Sequence, residues 1–295
     1  MFTKLIKAGL VKQKRYENGL SVFKYARKVF YDKLWDTDEL LLEARGMVLD
    51  DEGNKVIWPF TKVFNYKENN AGAWLSASTP VIAPRKINGF MAAVTRYKGE
   101  ILVSTTGSLD SDFVGYAKDK LEVLDLGHVK AGYTFLFEIC HEIDPHIIEE
   151  TLGAWLIGCR NHDTGEMASE ASLDSAASQM GALRPEVFRG TFGELWEQVK
   201  TCKHEGWMVI DAATRETVMK IKSPHYLSKK FLMRMGDKKV DQMFGNKDEF
   251  IKTLDEEFYG IFEYITTKWG KESWKLVKEA DRRAVIEKYF EMEAK

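Results

Sequence analysis

All six prolines of the sequence, Pro59, Pro80, Pro84, Pro145, Pro185 and Pro224, lie before residue 225, and the 71 residues that follow contain none. Proline removes a backbone donor and punctuates regular structure, so a chain that stops using it changes character there. Two units are expected, one over residues 1–227 and one over residues 228–295. Upstream, apolar residues alternate over short runs broken by turn residues: Met47 to Leu49, Gly89 to Tyr97, Glu100 to Ser104, Tyr133 to Ile139, Trp155 to Cys159, Trp207 to Asp211 and Thr217 to Lys222. A period of two means strands. Downstream, Ile251, Leu254, Phe258, Ile261, Phe262, Ile265 and Trp269 recur at helical spacing, and a second helical stretch from about Lys271 carries Trp274, Val277, Ala284 and Ile286. The expected class is α+β, a strand-rich domain followed by a small all-helical one.

Composition removes whole classes of function. With 44% hydrophobic and 30% charged residues the chain is folded, not disordered. Lys and Arg number 43 against 45 Asp and Glu, so a globally basic nucleic-acid coat is excluded, though a locally basic groove is not. The 228–295 tail balances 15 basic against 14 acidic residues, which suits a solvated bundle as well as a docking surface. Three widely spaced cysteines and an opening, Met1 to Leu10, unlike a signal peptide point to a reducing cytoplasm. No run approaches the roughly 18 apolar residues of a membrane span.

Four segments carry chemistry. In Pro84-Arg85-Lys86-Ile87-Asn88-Gly89-Phe90 a lysine stands at the entrance to an apolar strand. In Tyr133 to Ile139 a single carboxylate, Glu138, interrupts a strongly β-forming run. Glu205-Gly206 opens a strand that a turn joins to Thr217-Val218-Met219-Lys220-Ile221-Lys222. Period two places Lys220 and Lys222 on one face with Met219 and Ile221 on the other. Two ammonium groups about 7 Å apart along a strand repel unless an anion lies near, so that face is a candidate phosphate site. Taken singly, each has a bland reading: an Asn-Gly turn, an edge glutamate, a solvated strand face.

In order, with separations of 52, 67 and 15 residues between Lys86, Glu138, Glu205 and Lys220, these segments resemble the motifs of the covalent nucleotidyltransferases: DNA ligases, RNA ligases and mRNA capping enzymes. Leu42 to Leu49, with Arg45-Gly46, and Phe60 to Tyr66, with Lys62, Phe64 and Asn65, resemble segments of the phage-type ATP-dependent RNA ligases that seal broken tRNA, as does the strand Trp155 to Asn161. The resemblance covers about residues 40 to 227. Two positions depart from it: Asn88 replaces the usual Asp two residues after the active lysine, and Thr106 replaces a frequent lysine before Gly107, so no phosphate contact is expected at Thr106.

The resemblance implies an antiparallel-sheet nucleotidyltransferase domain, ATP-grasp-like in its sheets, that joins 5′-phosphate and 3′-hydroxyl RNA ends. Lys86 would attack the α-phosphorus of ATP, the AMP would pass to the RNA 5′-phosphate, and the 3′-hydroxyl would then expel it. It implies Lys86, Lys220 and Lys222 as catalytic residues, and Arg45, Lys62, Phe64, Ile87, Gly89, Glu138, Glu205 and Gly206 with those lysines around the nucleotide. Glu205 would hold Mg²⁺ or Mn²⁺ directly or through water, and Glu138 would either share that ion or hydrogen-bond the ribose. Burial, Lys220, Lys222 and cations are expected to push the Lys86 amine below its ordinary value of about 10.4. The expected partner is RNA, a broken tRNA among the candidates; the expected state is a monomer in the cytoplasm, the host's if phage-encoded. A DNA ligase or capping enzyme would append a strand-rich OB barrel, which the helical tail does not resemble. A non-catalytic RNA-binding relative would have lost the lysine or acids that are present here. Cys159 with His162 and Cys202 with His204 lack zinc-finger spacing.

Overall fold

The computed structural model describes residues 1–254 and 258–293. The strand-rich part is three antiparallel four-stranded sheets. The first runs in the order β1 (Val11–Arg15), β2 (Ser21–Tyr25), β3 (Arg45–Leu49), β4 (Lys55–Ile57). Numbering the remaining strands β5 (Pro80–Pro84), β6 (Phe90–Tyr97), β7 (Glu100–Thr105), β8 (Tyr133–Cys140), β9 (Gly153–Asn161), β10 (Val187–Thr191), β11 (Gly206–Asp211) and β12 (Thr217–Lys222), the second sheet is β7-β6-β8-β9 and the third β10-β5-β11-β12. The fold class expected from the sequence is the one found.

Alternation assigns each face. Val22, Val48 and Ile57 of the first sheet meet Ala93 and Leu136 of the second in one dry core, a sheet-on-sheet packing. The opposite face of the second sheet, with Val94, Phe135 and Phe137, is covered by the helices Asp112–Leu121 and Glu170–Met180. The third sheet packs Val81, Val209, Met219 and Ile221 against the helix Phe192–Thr201, which Thr191 and Glu194 start with a reciprocal capping box.

Beyond Lys222 every described element is a helix. Ser223 caps the first, Pro224–Met233, by accepting from the Tyr226 N–H, and Pro224 occupies its first turn. A division at 227/228 therefore falls inside a helix, which carries Tyr226 into the helical core beside Ile147 and Ile148 of the loop after β8. The periodic run from Ile251 to Trp269 is not one helix. One helix ends at Ile251 and the next is Tyr259–Lys268, with 255–257 outside the described residues. The stretch from Lys271 likewise divides, into Lys271–Leu276 and Glu279–Glu293, because Val277 takes extended backbone (φ −68°, ψ 121°). Burial of Trp274, Phe258 and Ile265 at 0% exposure, not helix length, holds these short pieces together.

Candidate active site

Three of the motif segments meet at one buried carboxylate. Lys86 sits just past β5, and its N–H donates to the Gly206 carbonyl at 2.8 Å, tying that turn to the start of β11. Its Nζ stands 2.9 Å from Oε2 of Glu205, and Nζ of Lys222 stands 3.5 Å from Oε1. The Glu205 side chain is only 3% exposed, so two ammonium groups replace its water. Asn88 adds a third donor, Nδ2 to Oε2 at 2.7 Å. The Asn88 amide has no freedom to flip, because its Oδ1 accepts the Ile148 N–H at 2.9 Å.

Glu138 is no edge glutamate. Its strand lies inside the second sheet, where Glu138 faces Met91 of β6 and Trp155 of β9. Its Oε1 accepts the Gly89 N–H at 3.1 Å. A Cβ at Gly89 would stand 2.3 Å from the Ile139 carbonyl oxygen, and one at Gly206 (φ +143°) 2.0 Å from that of Ile221. Both glycines are thus required by close backbone approach beside the site. Ile87 is 2% exposed.

A second cluster is mainly cationic, with Glu68 as its carboxylate. The segment after Lys62 runs alongside β12: the Lys220 N–H donates to the Phe64 carbonyl at 2.9 Å, and the Tyr66 N–H to the Lys220 carbonyl at 3.0 Å. This lays Lys62 and Arg45 near Lys220. Glu43, which the sequence reading passed over, anchors the segment by accepting from Trp58 Nε1 and Thr61 Oγ1, each at 2.6 Å, and from Arg160 at 3.0 Å. The Lys62 ammonium lies 4.9 Å from the centre of the Phe64 ring, and that ring belongs to the core beneath the first sheet. Phe64, expected as a nucleotide contact, is buried beneath Lys62.

Burial is the largest influence on the Lys220 amine, and Lys62, Arg45, Lys222 and Lys86 add to it, pulling it down to about 7. Lys62 is also lowered, by burial first, with Glu68 opposing and Arg45 assisting. Lys222 is lowered by burial, partly offset by Glu205. Burial would raise Glu68, yet hydrogen bonds from the Asn65 N–H and Nδ2, with the charges of Lys62 and Lys220, hold it below its ordinary value. Lys86 goes the other way. Burial pulls it down, but Glu205 and Glu138 outweigh burial and raise it. The expected depression of Lys86 is corrected: the carboxylates are its near neighbours, and the depressed lysines of the site are Lys220, Lys62 and Lys222. Glu138 is raised, by burial first, with Lys86 opposing and Glu205 assisting.

Among the described residues no three His, Cys, Asp or Glu side chains converge as a metal cage. The site instead sets a carboxylate-held lysine beside a mainly cationic cluster whose net charge favours an anion. Antiparallel sheets carrying a lysine before a strand, a strand-borne acid and a Lys-Ile-Lys face define the nucleotidyltransferase class. A family model described as RNA ligase matches residues 43–226, from just before Arg45 through β12. The chain belongs to this RNA ligase family, enzymes that join RNA ends, as the motif resemblance implied.

Solved structures agree in fold. An archaeal ATP-dependent RNA ligase in two forms is 14% and 15% identical, with TM-scores of 0.58 and 0.57, covering 96% and 95% of this chain and 74% of that one in each case. A protein of Aquifex aeolicus provisionally described as an ATP-dependent DNA ligase is 14% identical, with a TM-score of 0.55 over 98% of this chain and 77% of that one. A comparison with curated protein sequences found no match. No described helix is long and apolar enough to cross a membrane.

Proposed function

We propose that the chain uses ATP to join a 5′-phosphate to a 3′-hydroxyl RNA end through AMP held on Lys86. The placement of Lys86 carries this reading: it is joined to both acids, Glu205 by contact and Glu138 by charge, while Lys220 and Lys222 flank it on one strand face. Lys86 Nζ forms the bond to the α-phosphorus and pyrophosphate leaves. Arg45 and Lys62, with Lys220, take the β- and γ-phosphates, Arg45 through its forked donors. Lys220 and Lys222 stabilise charge on the α-phosphate during transfer.

Attack requires a neutral amine, and Glu205 favours the ammonium, so the charge of Glu205 must be diverted before reaction. Glu205 and Glu138 are hard oxygen donors, and one or two carboxylates with substrate phosphates are the usual Mg²⁺ set, so the residues fit Mg²⁺ or Mn²⁺. A divalent cation bound there supplies neutralisation of carboxylate and phosphate charge. Gly89, Gly206 and Ile87 shape the pocket wall, with Trp155 to Cys159 opposite Ile87 about the adenine. The helical unit after Lys222 fits substrate docking by shape, a broken tRNA among the candidates; the reading is of a monomer working in the cytoplasm. The match to an RNA ligase family model favours RNA ends over a DNA ligase or capping reaction.

The test is incubation of Lys86→Ala with α-labelled ATP. Wild type acquires covalent label and the variant none; label on the variant overturns the assignment.

A further inference from the structure

Residues 1–33 hold nine basic side chains against two acidic ones, in a chain whose remaining residues carry 34 against 43. This segment precedes the stretch that the RNA ligase family model matches. Of its nine cations only Lys14, paired with Asp110, and Arg15, paired with Asp51, have a carboxylate partner among the described residues. Lys12, Lys24, Arg27 and Lys28 are exposed. Lysines on an edge strand such as β1 commonly serve to block edge pairing. Lys24 has no such explanation, because β2 is an interior strand.

Register turns these residues into a row. Lys12 of β1 faces Lys24 of β2, and Lys24 faces Arg45 of β3. Facing residues stand about 5 Å apart, and like charges there destabilise a sheet. A row of three such cations calls for a polyanion. Its inner end, Arg45, belongs to the cationic cluster of the pocket, and Lys24 reaches the turn after β7, its Nζ 3.8 Å from where a Gly107 Cβ would stand. Just past Lys24 the helix Arg27–Tyr31 adds Arg27, Lys28 and an exposed edge-to-face aromatic pair, Phe30 and Tyr31 at 49% and 71% exposure. Cations that track a backbone beside aromatics that stack bases are the two parts of a single-strand binding surface.

Direction follows from the chemistry, and this step rests on the proposed function. In-line displacement at phosphorus puts attacking and leaving groups on opposite sides. When AMP passes to RNA, the bond from phosphorus to Lys86 Nζ breaks, a bond to the 5′-phosphate oxygen forms, and Nζ takes up a proton. The RNA phosphate must therefore approach from the side pyrophosphate left, the side of Arg45 and Lys62. We infer that the row Lys12–Lys24, continued by Arg27, Lys28, Phe30 and Tyr31, is the track along which the 5′-phosphorylated single strand leads away from the pocket.

The experiment compares full-length wild type with a Lys12→Ala, Lys24→Ala, Lys28→Ala triple variant. Labelling by α-labelled ATP, which needs no RNA, stays within about twofold. Affinity for a short 5′-phosphorylated single-stranded RNA, followed by fluorescence anisotropy across a salt series, falls at least about tenfold, and the slope of log affinity against log salt shrinks by about 2, or ~0.7 per lost contact. Phe30→Ala weakens the same RNA about tenfold with little change of slope. Binding of an acceptor strand that lacks the 5′-phosphate is unchanged. Unaltered donor affinity with labelling intact sinks the track alone, as does equal loss for donor and acceptor; label persisting on Lys86→Ala sinks the reading on which it rests.

Discussion

The ammonium of Lys86 stands 2.9 Å from the carboxylate of Glu205, a group that Lys222 also approaches at 3.5 Å and that is 3% exposed. Removing one partner from such a cluster leaves the others desolvated without compensation. Glu205→Gln should lower unfolding free energy by about 3 kcal/mol in urea titrations. Because Lys86 is raised above its ordinary 10.5, its stabilisation is complete below that value and is lost only as pH climbs through the folded value. With Glu205 gone, burial lowers Lys86 and Lys222 further, so the deficit should be full near about pH 6 and shrink as pH rises toward the ordinary lysine value; a deficit that grows with pH would refute the pairing.

Lys220 should titrate near neutrality. Its folded value is about 7 against an ordinary 10.5, so between these the unfolded chain holds a proton that the folded chain does not. Stability of the unliganded protein should rise with pH across that window on this group's account, and Lys220→Met should flatten the rise. A polyphosphate binding beside Lys220 restores its proton. Calorimetric titration of ATP at about pH 8, in buffers of different ionisation heat, should then show uptake of about one proton by wild type and none by the variant; no uptake by wild type would count against the assignment.

Asn88 bridges Glu205 and the Ile148 backbone and is 6% exposed. Asn88→Asp, the residue the family resemblance would place there, loses the donor and sets a second carboxylate against Glu205. A loss of about 2 kcal/mol is expected at neutral pH. Since the new carboxyl group is raised, the loss should fade as pH falls through its folded value. Chemical denaturation of both proteins at two pH values decides it, and a loss that grows on acidification would contradict the contact.

Deleting residues 228–295 removes the partners of Ile147, Ile148 and Tyr226 in the helical core. Ile148 also positions Asn88. Covalent labelling and RNA sealing should fall together, each by more than about tenfold, with a lower melting temperature. Labelling at the wild-type rate would show instead that the helical unit is separable from nucleotide transfer.

The strands at the site were readable because period two survives any tertiary setting. Met219 and Ile221 are buried and Lys220 and Lys222 line the other face, as their alternation requires. Two other strands were harder. Val11 to Arg15 reads as a charged run, since on this edge strand every residue after Val11 is exposed, and β5 is hidden by prolines at both ends. The helical tail showed its period but not its breaks, which Val277 and the turn after Ile251 impose locally.

Sequence alone determined the strand faces on which Lys220 and Lys222 lie, because side-chain direction follows from local backbone period. It could not determine which charges become neighbours. Lys86 and Glu205 are 119 residues apart, and only the antiparallel closure of β5 on β11 brings them together, reversing the direction in which burial alone would move the Lys86 amine. Lys12, Lys24 and Arg45 likewise form a row only through strand register. Coulomb energy depends on separation in space, and that separation is set by the packed sheets.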